Sequence, residues 1–160
     1  MKIKKGDKLP DAQVFIMDKE PKKTSIKEII GNKKVILFGL PGAFTSTCSA
    51  KHLPGFINNY DKFKSKGINQ IYCLSVNDPF VMQAWGKANN IEDKIIMLSD
   101  PYLSFTKIIG AEVDKTAKGL GVRSNRYTMI INELKILNLE EEQETKHCEI
   151  SSAENFLNKI

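Results

Sequence analysis

A hydroxyl and a thiol three residues apart, Thr45 and Cys48, form the most chemically suggestive pair in the chain. Residues 34–40 just before them carry an apolar run, the mark of a strand buried on both faces. Residues 41–44 must then be a loop. A helix is expected to open near Ser46 or Thr47, whose hydroxyl can cap it, with Cys48 in its first turn. A thiol placed there faces unpaired backbone N–H groups and the positive end of the helix dipole. Both favour the thiolate, which is the reactive nucleophile. Thr45 adds a hydroxyl that can donate and accept. In a C-x-x-C pair the first cysteine would stand at position 45. One thiol beside one hydroxyl suits a reaction at a single sulfur, not dithiol exchange.

The other two cysteines are ambiguous. Cys73 falls within residues 69–76, which read as a second buried strand. Cys148 sits in Lys146-His147-Cys148-Glu149, after an acidic stretch that reads as an exposed loop. Three isolated cysteines are too few for a secreted disulfide framework, so each is a buried apolar residue or a reactive thiol. Cys48 and His52 are spaced i, i+4 on one helix face, and His147-Cys148 could complete a Cys2His2 metal set. Adjacent ligands fit a tetrahedral site poorly, however. His52 is expected to cover the helix surface near the site, and Val81, Met82 and Trp85, at helical spacing, are expected in the core.

The elements that must position these groups alternate. Residues 13–17 read as a strand, and Ser25-x-x-Glu28 has capping-box spacing for a short helix ending near Gly31. Pro54 and Gly55 should kink the Cys48 helix, whose apolar face continues through Phe56, Ile57, Tyr60 and Phe63 to Gly67. Asp78-Pro79 caps and starts a helix to about residue 90. A third strand at 95–98 and a short helix at 103–109 follow. Strands at 127–132 and 135–139 are joined by a tight turn at Asn132-Glu133. Ser151-x-x-Glu154 repeats the capping-box spacing before a final helix. This pattern is α/β, a single domain spanning residues 1–160, with a mixed central sheet flanked by helices. In such sheets sites form beyond the carboxyl ends of strands, where the 34–40 strand delivers Cys48.

Composition narrows the function classes. With 41% hydrophobic and 27% charged residues, the 160-residue chain can bury a core. No apolar run approaches the ~20 residues of a membrane span, and the charged N-terminus lacks a signal core. The net charge of +5 comes from scattered lysines, the only arginines being Arg123 and Arg126. A nucleic-acid binder would more often gather basic groups and aromatics on one stripe, so no nucleic-acid partner is expected.

Residues 41–48 (PGAFTSTC) match the P-x-x-x-T-x-x-C motif of peroxiredoxins. The longer stretch 41–56 resembles the type II, peroxiredoxin-5-like branch, as do residues 73–82 and Arg126-Tyr127-Thr128-Met129. The likeness covers nearly the whole chain, departing at Ser46, where many relatives carry proline. It implies a thioredoxin-like fold and a thiol peroxidase that reduces hydrogen peroxide and organic hydroperoxides without cofactor or metal. Cys48 would be the peroxidatic thiol, Thr45 would hydrogen-bond the peroxide, and Pro41 would shield the thiolate. Arg126 would stabilise the thiolate and the transition state, with Arg123 a weaker candidate to assist. Attack would leave Cys48 as a sulfenate. By resemblance Cys148 matches the resolving position of animal members and Cys73 that of plant members. The alternative is direct attack by an external thiol. Thioredoxin, glutaredoxin or glutathione would supply electrons to a homodimer in the cytoplasm, or in an organelle if a presequence is removed. Rival readings are a thioredoxin-fold binding or chaperone module without activity, and the Cys/His metal protein above.

Overall fold

The apolar runs become the centre of one seven-stranded sheet. The structure, a computed structural model, describes residues 1–160. β1 (Gln13–Asp18), β2 (Glu20–Ser25), β3 (Lys34–Gly39), β4 (Gln70–Ser75), β5 (Ile95–Ser99), β8 (Tyr127–Asn132) and β9 (Lys135–Glu141) lie in the order β2-β1-β5-β4-β3-β8-β9. β3, β4 and β5 are parallel, whereas β1, β2, β8 and β9 pair antiparallel to their neighbours. β6 (Glu112–Asp114) and β7 (Val122–Ser124) form a separate small ribbon.

Helices cover the sheet: α1 (Ile26–Ile30), α2 (Leu53–Asn58), α3 (Tyr60–Ser65), α4 (Pro79–Ala88), α5 (Ser104–Ile108) and α6 (Ala153–Leu157). Ser25 accepts from the Glu28 N–H and Asp78 from the Val81 N–H, so both caps form where the sequence places them. One apolar cluster packs Phe38, Phe56, Phe63, Met82 and Trp85. The other holds Val35, Leu37, Leu74, Leu98 and Phe105 on the opposite face. β3 feeds both clusters from alternating positions, as a strand covered on both faces must. No helix is long and apolar enough to cross a membrane.

Several local expectations move. β2 and the β6–β7 ribbon were not foreseen. The hairpin turns on Glu133 and Leu134, both with positive φ (49° and 64°), one residue later than expected. The last helix is capped by Ser152, which accepts from the Asn155 N–H. Ser151 is instead bound to the carboxylate of Glu142.

Candidate active site

Strand register brings the site together. In the antiparallel pair β3–β8, Gly39 lies opposite Tyr127. The carboxyl end of β3 therefore meets the amino end of β8, and Arg126 stands beside the loop that leaves β3. That loop is fastened from two sides. The Ala43 N–H donates to Asn77 Oδ1 at 2.9 Å, and Arg123 Nη1 donates to the Pro41 carbonyl at 3.2 Å. Arg123 thus holds the loop backbone, while its own Nε donates to the Leu120 carbonyl.

Helical backbone begins at Ser46, with Cys48 in its first turn as expected. Thr47 makes no side-chain cap; its hydroxyl donates to the Lys146 carbonyl. From Cys48 to His52 the turn is a π-helix, in which the Leu53 N–H reaches back to the Cys48 carbonyl. Pro54 gives a reason. It has no N–H for an i→i−4 bond, and its ring crowds the preceding turn, so the helix widens there rather than simply kinking.

Cys48 has no exposed surface. Arg126 Nη2 donates to its Sγ at 3.1 Å. Arg126 is itself buried, and no Asp or Glu side chain pairs with it. Its Nε and Nη2 donate to the Thr145 carbonyl at 3.1 and 2.9 Å, and Nη1 contacts His52 Nδ1 at 3.0 Å. A buried cation without a carboxylate is costly, and the side-chain atom it meets in place of one is the Cys48 sulfur.

His52 does not cover the surface. It is fully buried, tilted against Phe38 with ring centroids 4.9 Å apart. A guanidinium only donates, so Nδ1 must be the acceptor and the proton sits on Nε2. Nε2 lies 3.2 Å from both the Ser151 carbonyl and Thr128 Oγ1, and the Thr128 hydroxyl donates to the same carbonyl. Burial first, then the Arg126 charge, hold the imidazole well below its usual basicity, so it is neutral. Both ring nitrogens are committed, which leaves neither for a metal. No three His, Cys, Asp or Glu side chains form a metal-binding group.

A pocket of 180 Å³ is lined by Pro41, Thr45 and Arg126 among others, and Cys48 is outside its lining, joined to it through the Arg126 guanidinium. The Thr45 hydroxyl donates to the Gly42 carbonyl at 2.7 Å, so its lone pairs are what it can offer to a ligand.

The remaining cysteines differ sharply. Cys73 is buried in β4, and burial pushes its thiol well up. Cys148 is half-buried, not exposed as its polar surroundings suggested. Its thiol is raised, chiefly by burial. It lines a hollow with Ala50, Lys51 and Pro54, so it lies against the segment that begins at Cys48. All three cysteines are free. The loop carrying Cys148 is anchored by buried Glu142, whose Oε1 accepts from the Glu149 N–H and from the N–H and hydroxyl of Ser151.

The chain matches the Redoxin family over residues 4–157. It is 43% identical over 157 residues to Peroxiredoxin-2D of Arabidopsis thaliana, covering 97% of this chain and 96% of that protein. The chain belongs to the peroxiredoxin family. The fold of this peroxiredoxin superposes on reduced Prx3 of Vibrio vulnificus in complex with H2O2, with a TM-score of 0.92 and 44% identity. That match covers 98% of this chain and 95% of the other. A second match is the antioxidant protein of Plasmodium falciparum, a 1-Cys peroxiredoxin. It has a TM-score of 0.90 and 32% identity, over 99% of this chain and 100% of that one. The expected thioredoxin-like α/β fold and type II, peroxiredoxin-5-like character therefore hold, and the peroxiredoxin is a thiol-dependent peroxidase.

The sequence pointed to Cys48, Thr45, Pro41 and Arg126; the structure places Pro41, Thr45 and Arg126 at one pocket, with Cys48 buried in contact with Arg126 and outside the lining. It missed His52 as a partner of Arg126. The signal available was only a histidine four residues after the thiol, which reads equally as a metal pair or a packed side chain.

Proposed function

We propose that Cys48 is the peroxidatic thiol and that it reduces hydrogen peroxide and organic hydroperoxides entering through the Pro41–Thr45–Arg126 pocket. The observation that carries this reading is the 3.1 Å contact between Cys48 Sγ and a buried guanidinium that has no carboxylate partner. The Cys48 thiolate attacks the terminal peroxide oxygen. An S–O bond forms, the O–O bond breaks, and the leaving oxygen takes a proton to become water or an alcohol. Thr45, its proton already given to Gly42, accepts from the peroxide O–H and turns the peroxide towards the sulfur. Four of the five Arg126 N–H groups have protein acceptors, which leaves one Nη1–H for the developing negative charge. Pro41, buried at the pocket, keeps bulk water from the sulfur.

Resolution follows one of two routes. Cys148 is the better internal candidate, because it lies against Ala50–Pro54 whereas Cys73 is locked in the core. Since Cys48 is also buried, a bridge requires both thiols to move, to about 6 Å between Cα atoms. An external thiol is the second route, in keeping with the likeness to a 1-Cys protein. Thioredoxin, glutaredoxin or glutathione is the reductant on either route. A homodimer is supported by Phe44, on the loop after β3, and Phe80, in the first turn of α4, which are 59% and 64% exposed and whose segments the Ala43–Asn77 bond ties together.

The test is peroxide consumption with dithiothreitol as reductant. Cys48→Ser should remove turnover while Cys73→Ser retains it. Substantial turnover by Cys48→Ser would overturn the assignment.

A further inference from the structure

The Pro41–Thr45–Arg126 pocket, which reaches the Cys48 sulfur through Arg126, carries a concentration of positive charge that the reduction of hydrogen peroxide does not use. Lys115, Lys118 and Lys146 line it with Arg126, and no carboxylate does. The same three lysines and Thr145 line an adjoining hollow of 520 Å³, so the two openings run into one another. Carboxylates appear only in that second hollow, as Glu112 and Glu144.

The lysines are not equivalent. Lys115 donates to Thr145 Oγ1, on the residue whose carbonyl holds Arg126. Lys146 pairs with Glu144 at 2.8 Å, where both side chains are well exposed, so the pair is weak. Lys118 forms no ion pair and is exposed.

Uncharged hydrogen peroxide gains nothing from such a rim. An anion does, because a cleft lined by one sign of charge raises the local concentration of the opposite sign. We propose that this mouth selects organic hydroperoxides bearing a carboxylate, with Lys118 and Lys146 as the anion's partners and Lys115 reinforcing them. The carboxylate stops at the lysines, since Glu112 and Glu144 beyond them repel it, so a short chain fits best. The inference rests on Cys48 being the peroxidatic thiol. The chemistry is unchanged. Sulfur loses two electrons as the S–O bond forms, the O–O bond breaks, and the carboxylate-bearing alkoxide leaves and takes a proton from water.

The test compares a tertiary alkyl hydroperoxide bearing a terminal carboxylate with its methyl ester. Both are followed in single turnover from reduced protein, so that an anionic thiol reductant plays no part. The carboxylate should react about 3- to 10-fold faster than the ester at low salt, with the ratio collapsing near 0.5 M salt. The ratio should fall in Lys118→Gln/Lys146→Gln and invert in Lys118→Glu/Lys146→Glu. It should rise in Glu144→Gln, which frees Lys146. An equal ratio in all variants at low and high salt overturns the inference. Failure of both compounds to oxidise Cys48 overturns instead the reading beneath it.

Discussion

Arg126 Nη1 lies 3.0 Å from His52 Nδ1, and the imidazole is the accepting partner. That contact fixes the tautomer, since the remaining proton must sit on Nε2, aimed at the Ser151 carbonyl. It also fixes the guanidinium, whose other face is held by the Thr145 carbonyl. Arg126 is thus clamped between His52 and Thr145 with Nη2 turned to the Cys48 sulfur. His52 holds Arg126 in the orientation that reaches the sulfur.

The clamp predicts how His52 variants behave. Asparagine can place an oxygen where Nδ1 stands, whereas leucine offers no acceptor to Arg126. His52→Leu should therefore slow oxidation of Cys48 by about tenfold or more, with His52→Asn recovering much of the rate. Stopped-flow oxidation and the pH profile of Cys48 alkylation check this. A merely structural His52 would leave the profile unmoved in both variants.

Stability should respond to acid through the same ring. The folded protein holds His52 neutral to well below 6.5, its usual value, while the unfolded chain protonates near 6.5. Below that pH the unfolded state binds more protons, so stability falls as pH drops and is fully present above it. The slope reaches at most about 1.4 kcal/mol per pH unit from this one group. Urea titrations from pH 7 to pH 5 should show a shallower slope in His52→Asn than in the wild type. Equal slopes would remove His52 as the source.

Arg126→Lys keeps the charge and loses the fork. A lysine ammonium cannot reach Cys48, His52 and Thr145 together in one plane. The second-order rate with hydrogen peroxide should drop about 100-fold or more. An unchanged rate would place the transition-state donor elsewhere.

The resolving thiol is decided by which substitution removes a disulfide. After one equivalent of peroxide, the wild type should lose two hydrogens, and Cys148→Ser should show a sulfenate trapped by dimedone instead. Cys73→Ser should still form the bridge. Because burial raises the Cys148 thiol, bridge formation should quicken as pH rises above neutrality. Sulfenate persisting in all three proteins would establish a one-cysteine cycle that needs an external thiol.

Much of this site was legible because its chemistry is local. Thr45 and Cys48 sit on one short segment, and the apolar run of β3 announces the loop that presents them. Arg126 was reached by resemblance. Its placement depends on the Gly39–Tyr127 register across two strands distant in sequence, which no local pattern encodes. β2 was missed because Glu-Pro-Lys-Lys-Thr-Ser is the polar, proline-bearing sequence of an edge strand, which looks like a loop. The β6–β7 ribbon, three residues a side, is too short for alternation to show. Cys148 looked exposed because its neighbours in sequence are polar. It lies instead against residues 50–54, a contact between segments far apart in sequence.

Oxidation at Cys48 is read most directly from the site of the first oxygen. One equivalent of hydrogen peroxide is added to reduced Cys73→Ser/Cys148→Ser protein, dimedone is included, and peptides are mapped by mass. One adduct per chain is expected, on Cys48, and none when Cys48→Ser is added to that background. No adduct on Cys48 while peroxide is still consumed would contradict oxidation at that thiol.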